Sequence, residues 1–189
     1  MAHIFLEKSF AWLEHPSGEN VLASDIYCAT RDVFQGRLDN LRRMLEEKMP
    51  DDSALFIAVC GEIGNNSFDH NIGNWRDIPG VYFEFDTENF SVILADRGRG
   101  VRATLGRVMP GLQNDREAVE AAFTRRISGR LPEQRGNGLK FVRDITEGKR
   151  WSLEFFSGLG VASIVKGGKI EFLMGDNDIK GCVALVSMK

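Results

Sequence analysis

The sequence predicts an α+β fold: a two-layer α/β sandwich whose mixed, mostly antiparallel sheet is covered on one face by helices. Three observations carry that reading. Strand-like runs at 81–96 and after 150 are separated only by short turns rich in Gly and Asp, which implies antiparallel neighbours. Helix-periodic segments come in consecutive pairs, so they gather in one layer. The 189 residues, 43% hydrophobic and 27% charged, suit one soluble domain with a sizeable core, with room for a small appendage.

Residues 1–31 show no clear period, and "HPSGEN" (15–20) reads as a turn cluster. From 32 to 49, Phe34, Leu38, Leu41, Leu45 and Met49 recur at helical spacing, with Asp32 as N-cap and Pro50 as the stop. A second helix starts at "DDS" (51–53) and runs to about Asn71. "VYFEFDTENFSVILAD" (81–96) gives two strands about a "DTEN" turn. The first alternates, with Val81, Phe83 and Phe85 on one side; the second is continuously apolar and is expected to be buried on both faces. "NDREAVEAAFTRRI" (114–127) is a helix with Asn114 and Glu117 as a capping pair, and "RGNGLKFVRDITEG" (135–148) is a glycine loop opening another. Four strand-like runs follow, "WSLEFFSG", "VASIVKGG", "KIEFLMGD" and "GCVALVSM", divided by Gly and Asp turns. Residues 1–49 are expected to pack on or extend the core, and 50–189 to form the main domain.

Composition narrows the function. A net charge of −3 does not suggest nucleic acid or an anionic membrane as partner. Cys28, Cys60 and Cys182 match no metal or disulfide framework and read as reduced thiols of a cytoplasmic protein. The start "MAHIFLEKSFAWLEH" is interrupted by Glu7, Lys8 and Glu14, so it reads as neither signal peptide nor anchor, and no apolar run reaches the ~20 residues of a membrane span.

Three stretches could carry chemistry. In "GEIGNNSFDHNIG" (61–73), Glu62, Asn66, Asp69 and His70 fall within an arc of roughly 100° on a helix. A carboxylate and an amide one turn apart can share a ligand, the Glu deprotonating a nucleophile and the Asn oxygen holding a hard cation such as Mg²⁺. The bland alternative is a solvated polar stripe. Against it, apolar residues cover most of the helix, and Gly61 and Gly64 each cost about 1 kcal/mol relative to Ala. "ILADRGRGV" (93–101) ends a buried strand in Asp96, followed by Gly98 and Gly100; the Asp can accept from an exocyclic amine while the glycines admit a planar ligand. "RGNGLKFVRDI" (135–145) sets Gly136 and Gly138 before a helix N-terminus that favours phosphate, with Arg135 and Lys140 adding charge.

In this order, over roughly residues 50–189, the three stretches resemble the ATP-binding domain of the GHKL superfamily. That group includes gyrase, the cytosolic heat-shock chaperone, sensor histidine kinases, MutL and the bacterial anti-sigma serine kinases. "EIGNNSFDH" resembles its N box, "DRGRG" its first glycine box and "GNGLK" its second. The resemblance implies the Bergerat fold, ATP or ADP as ligand and Mg²⁺ as cofactor. It gives Glu62 the role of general base and Asn66 that of Mg²⁺ ligand. Asp69 and His70 accompany them at the nucleotide. Asp96 would bind the adenine amine beside Gly98, Gly100 and Val101, and Arg135, Gly136, Gly138, Leu139 and Lys140 would close over the phosphates. The span of about 101–135 matches the family's ATP lid and holds Arg102, Arg107, Arg116, Arg125, Arg126, Arg130 and Arg135; a solvated loop accounts for most of these.

Two departures matter. Where the family places Gly-Thr to support the adenine-binding Asp, this chain has Gly181-Cys182, and a thiol is a poor donor. No phosphoacceptor helix pair of the sensor-kinase type precedes the ATP domain. Two functions remain open: an ATPase or serine/threonine protein kinase of bacterial regulation acting on a partner protein, and a nucleotide-gated protein-binding module with little turnover. The 32–49 helix reads as core packing first, with a partner or homodimer contact as the other reading.

Overall fold

The computed structural model describes residues 2–15, 25–125 and 137–189. Helix α1 is Ala2–Glu14, followed by the short strand β1 (Tyr27–Cys28), then α2 (Arg31–Lys48) and α3 (Pro50–Asn71). Strands β2 (Val81–Asp86) and β3 (Ser91–Asp96) lead to α4 (Gly100–Leu105), α5 (Asp115–Thr124) and α6 (Gly138–Lys149), and the chain closes with β4 (Ser152–Ile164) and β5 (Glu171–Ser187). The strands form one five-stranded sheet in the order β1-β2-β3-β5-β4, and every pairing is antiparallel.

Helix boundaries follow from capping. Thr30, not Asp32, caps α2, its hydroxyl accepting from the Val33 amide; Asp32 lies in the first turn, where its charge favours the helix N-terminus. Pro50 both stops α2 and starts α3 as its first residue, where a missing N–H costs nothing. Asn114 caps α5 by accepting from Glu117 N at 2.9 Å, and Glu117 reaches back to the Gln113 amide at 2.8 Å.

The four expected C-terminal runs are two long strands. Gly158 and Gly160 are not turns; they sit at register shifts inside β4. A side chain at either would collide with Asp115, 2.4 Å from an added Cβ in both cases, so these glycines let the start of α5 press against the bulged strand. Leu159 N donates to Asp115 Oδ2 across that contact.

The main core lies between the sheet and α2, α3, α5 and α6, with Phe34, Phe56, Phe83, Leu94, Phe123 and Leu153 fully buried. Each such side chain is worth about 1.5–3 kcal/mol in transfer from water. Of the predicted stripe, Phe34, Leu38, Leu41 and Leu45 are buried here, while Met49 is the half-buried C-cap of α2. Gly64 has the same origin: an added Cβ would stand 2.1 Å from the Phe34 ring, so this glycine admits a neighbouring helix rather than a ligand. Helix α1, which has no counterpart in the sequence reading, covers the other face, packing Trp12 and Leu13 on Tyr82, Ile93, Val183 and Leu185. All six residues of β3 are therefore buried. Among the described residues, no helix is long and apolar enough to cross a membrane.

Candidate functional site

A cleft opens between α3, the end of β3, α4 and the N-terminal turn of α6. Its walls are mostly apolar, with Ile63, Leu94, Leu139 and Phe155 among them. Asn66, Ser67, His70 and Asn71 line it from α3, and Asp96 from β3.

Asp96 is the chemical centre. It is 3% exposed and, among the described residues, carries no cationic partner in hydrogen-bond contact. Ser67 Oγ donates to its Oδ2 at 2.8 Å, while Asn71 Nδ2 and the Gly98 amide donate to Oδ1 at 3.2 and 2.8 Å. Burial pushes the carboxyl above the ordinary aspartate value, and the three donors together with the charge of His70 only partly oppose it. A carboxylate offers about four lone-pair sites, so one acceptor site remains on Oδ2. Gly181 of β5 closes the other side: with φ of +127° its backbone lies so near Asp96 O that a Cβ would fall 1.9 Å away.

Cys182 pairs in register with Asp96 and lines the cleft, but its Sγ contacts Ser157 Oγ at 3.6 Å. Burial, then the Asp96 charge, hold its thiol well above its usual range. The support that a Thr was expected to give Asp96 comes instead from α3, through Ser67 and Asn71. Ser157 ties the start of α4 to β5, accepting from Val101 N and donating to Gly181 O, both at 2.9 Å.

Of the residues singled out in the sequence, Asn66, His70, Asp96, Gly100, Val101, Leu139 and Cys182 line the cleft together. Gly98 sits beneath it, so close to the Asn71 amide that a Cβ would lie 2.2 Å from it. Glu62 is exposed and stands at the rim beside Gly138, where a Cβ would lie 2.4 Å from Glu62 Oε2 and 3.5 Å from Asn66 Nδ2. Asp69 departs from its expected place: it is ion-paired with Arg31 of α2 and does not line the cleft. Lys140 donates to Asn137 Oδ1 at 2.9 Å. Arg135, Gly136, Arg126 and Arg130 lie outside the described residues. Within the span expected as a lid, residues 100–105 and 115–124 are α4 and α5. Arg116 there is held by Phe172 O, and Arg102 by Gln113 O with Asp115 nearby.

Ser67, Asn71 and Ser157 escaped the sequence reading. Ser67 and Asn71 are an i,i+4 polar pair, roughly 100° further round α3 than Asn66 and His70. That pairing inside an otherwise apolar arc was the available signal. Ser157 depends on the β4 bulge and left none.

Asn66 offers a neutral amide oxygen on the cleft wall. That donor fits Mg²⁺, which takes one or two side chains and completes its shell with phosphate and water. Among the described residues, no cluster of three or more His, Cys, Asp or Glu could hold a metal ion alone.

No protein-family model matches this chain, and no curated protein matches it. Among solved structures, the chain is similar to the B-subunit of the DNA gyrase from Myxococcus xanthus, at 16% sequence identity and a TM-score of 0.36; the match covers 80% of this chain and 42% of that one.

Proposed function

We propose that the cleft binds Mg·ATP and that the chain is a histidine kinase-like ATPase domain of the GHKL type. On this reading residues 50–189 carry the nucleotide and residues 1–49 pack on them. It hydrolyses ATP or passes the terminal phosphate to a partner protein. The observation that carries the proposal is Asp96: a buried carboxylate with three neutral donors and one acceptor site left, on the wall of an apolar cleft. An adenine amine satisfies that site, and the apolar walls take the ring faces. Guanine presents a carbonyl oxygen at the equivalent position and would leave both acceptors unpaired.

Asn66 would hold Mg²⁺, which when bound neutralises phosphate charge. Glu62, at the rim next to the α6 N-terminus, takes the proton from the attacking water or hydroxyl. Backbone donors at the start of α6 face the phosphates. A second reading, nucleotide-gated partner binding with little turnover, draws on the exposure of Glu62 and its position outside the cleft wall.

Thermal shift with ATP and GTP, with and without Mg²⁺, tests binding: ATP with Mg²⁺ should raise the melting temperature and GTP should do much less. Equal shifts would remove the Asp96 assignment. Turnover then separates the two readings. Glu62→Ala should leave ATP affinity nearly intact and lower turnover by about 10²–10⁴-fold, whereas Asn66→Ala should weaken Mg·ATP binding itself. A wild type that binds but does not turn over, with binding lost in Asn66→Ala, selects the gated module.

A further inference from the structure

The residue between Asp96 and Gly98 points away from the cleft. Along β3, Val92 and Leu94 face the main helical layer, as Asp96 does, while Ile93 and Ala95 face α1. Arg97 continues that second set and is 2% exposed. Four of its five N–H donors are engaged. Nε donates to Asp77 Oδ1 at 2.7 Å and Nη2 to Asp77 Oδ2, the planar fork matching the carboxylate. Nη1 donates to Trp12 O, and Nη2 to His15 O at 2.7 Å. The Trp12 ring lies 5.5 Å from the guanidinium carbon. The neighbouring Arg76 adds a second clasp: its Nη2 donates to Leu13 O at 2.6 Å and its backbone N to Arg97 O at 3.0 Å.

Two guanidiniums thus take three carbonyls at and just beyond the C-terminal end of α1, groups that a helix leaves without intrahelical partners. One of those guanidiniums belongs to the residue that joins the acceptor Asp96 to the donor Gly98. The Gly98 and Arg99 amides, which bond Asp96 Oδ1 and Asn71 Oδ1, follow directly in the chain. A buried cation with a forked carboxylate partner tolerates little displacement, because any lost partner leaves charge unpaired out of water. The backbone at 96–99 is therefore held from the face opposite the cleft.

We propose that Arg97 is a positioning residue for Asp96, and that through it the docking of α1 sets affinity and base selectivity in the cleft. The selectivity part rests on the nucleotide reading above; the positioning part does not. Arg97 touches no ligand. It acts by fixing the aim of the one acceptor site on Asp96 and the bonds that Gly98 and Asn71 make to it. Lysine at this position keeps the charge but cannot form the fork or reach all of the carbonyls.

The test uses the full chain with three variants: Arg97→Lys, Asp77→Asn, and Leu41→Ala as a destabilised control in the core of α2. Affinities for ATP and GTP are measured with Mg²⁺, and amide exchange at Gly98 and Arg99 is measured by NMR relative to the amides of β3. Arg97→Lys should weaken ATP about tenfold, bring the ATP-to-GTP ratio toward one, and speed exchange at Gly98 and Arg99 relative to β3. Asp77→Asn should do the same more mildly, and serves if Arg97→Lys does not fold. Leu41→Ala should lower the melting temperature yet leave selectivity and that exchange ratio unchanged. ATP affinity within twofold of wild type and an unchanged exchange ratio in both loop variants would overturn the proposal, as would an equal loss of selectivity in Leu41→Ala. If the wild type binds no nucleotide, the nucleotide reading fails and the exchange ratio alone decides: an increase supports positioning, and no increase overturns it.

Discussion

Asp96 and Asp77 flank the same loop from opposite faces of the sheet, and they differ in what holds them: neutral donors at Asp96, a forked guanidinium at Asp77. Asp77 meets the Arg97 guanidinium through a two-point bond, and that bond holds its carboxyl below the usual aspartate range despite opposing burial. Asp96 meets a hydroxyl, an amide side chain and a backbone N–H, all neutral, and burial wins. Neutral donors orient a carboxylate but do not replace the hydration that it lost. Asp77 is stabilising, its charge balanced by the Arg97 fork and by Arg76, whose Nε lies 3.7 Å from Oδ2. Asp96 is costly and keeps an acceptor site on the cleft wall, the site that the proposed adenine amine would take.

The largest effect should come from breaking the structural member. Asp77→Ala leaves Arg97 buried with two carbonyls but no countercharge. Removing one partner of a buried pair costs about 3–5 kcal/mol. The lower end is expected here, since the Asp77 side chain keeps 19% exposure. Urea denaturation measures it, and a loss under about 1 kcal/mol, the scale of an exposed pair, would erase the contrast.

The second prediction has the opposite sign. Asp96→Asn keeps the shape, still accepts from Gly98 and Asn71, and offers a donor to Ser67, while removing a desolvated charge. It should raise the melting temperature by roughly 2–4 °C, which is what about 1 kcal/mol gives in a chain of this size. The ATP-induced shift should disappear in the same variant. A variant less stable than wild type would mean that Asp96 is structural, like Asp77.

The sequence reading separates along the same line. Asp96, Asn66 and His70 were legible because local pattern specifies them: a strand-end acid, and polar positions one turn apart on an apolar helix. The α2 stripe and the fully apolar β3 were legible from period alone. Asp77 and Arg97 were not, since "NWRDIPG" and "ADRGRG" meet only when β2 and β3 pair and α1 docks. Helix α1 itself was missed because Ile4, Phe5, Leu6, Phe10, Trp12 and Leu13 leave no clear polar face. Its helical state comes from burial on a sheet whose strands begin far along the chain. Ser67 and Asn71 escaped the sequence reading because their partner carboxylate lies on another element. Gly158 and Gly160 were taken for turns since, by sequence alone, a bulge pressed by a helix looks the same as a chain reversal.

The smallest effect is the most specific, because it tests the sign of each shift. For Asp77 the folded carboxyl titrates below the ordinary value of 3.8. Its stabilisation is present above 3.8 and is lost as pH falls through the lower folded value. For Asp96 the folded carboxyl titrates above 3.8. Its cost is absent below 3.8, grows as pH rises through the folded value, and stays constant above it. The stability gap between Asp96→Asn and wild type should therefore be widest above the folded Asp96 value and shrink as pH falls from that value toward 3.8. The gap between Asp77→Asn and wild type should hold steady over that same range and narrow only below about 3.8. Protonation of Asp96 also turns its free acceptor into a donor, so ATP affinity should weaken over the window in which the first gap closes. Thermal melts of the three proteins from pH 7 to pH 3.5, with ATP titrated at each pH where they stay folded, measure both. If the two gaps run in parallel, the two carboxylates share one environment and the assignment of Asp96 as the recognising group fails.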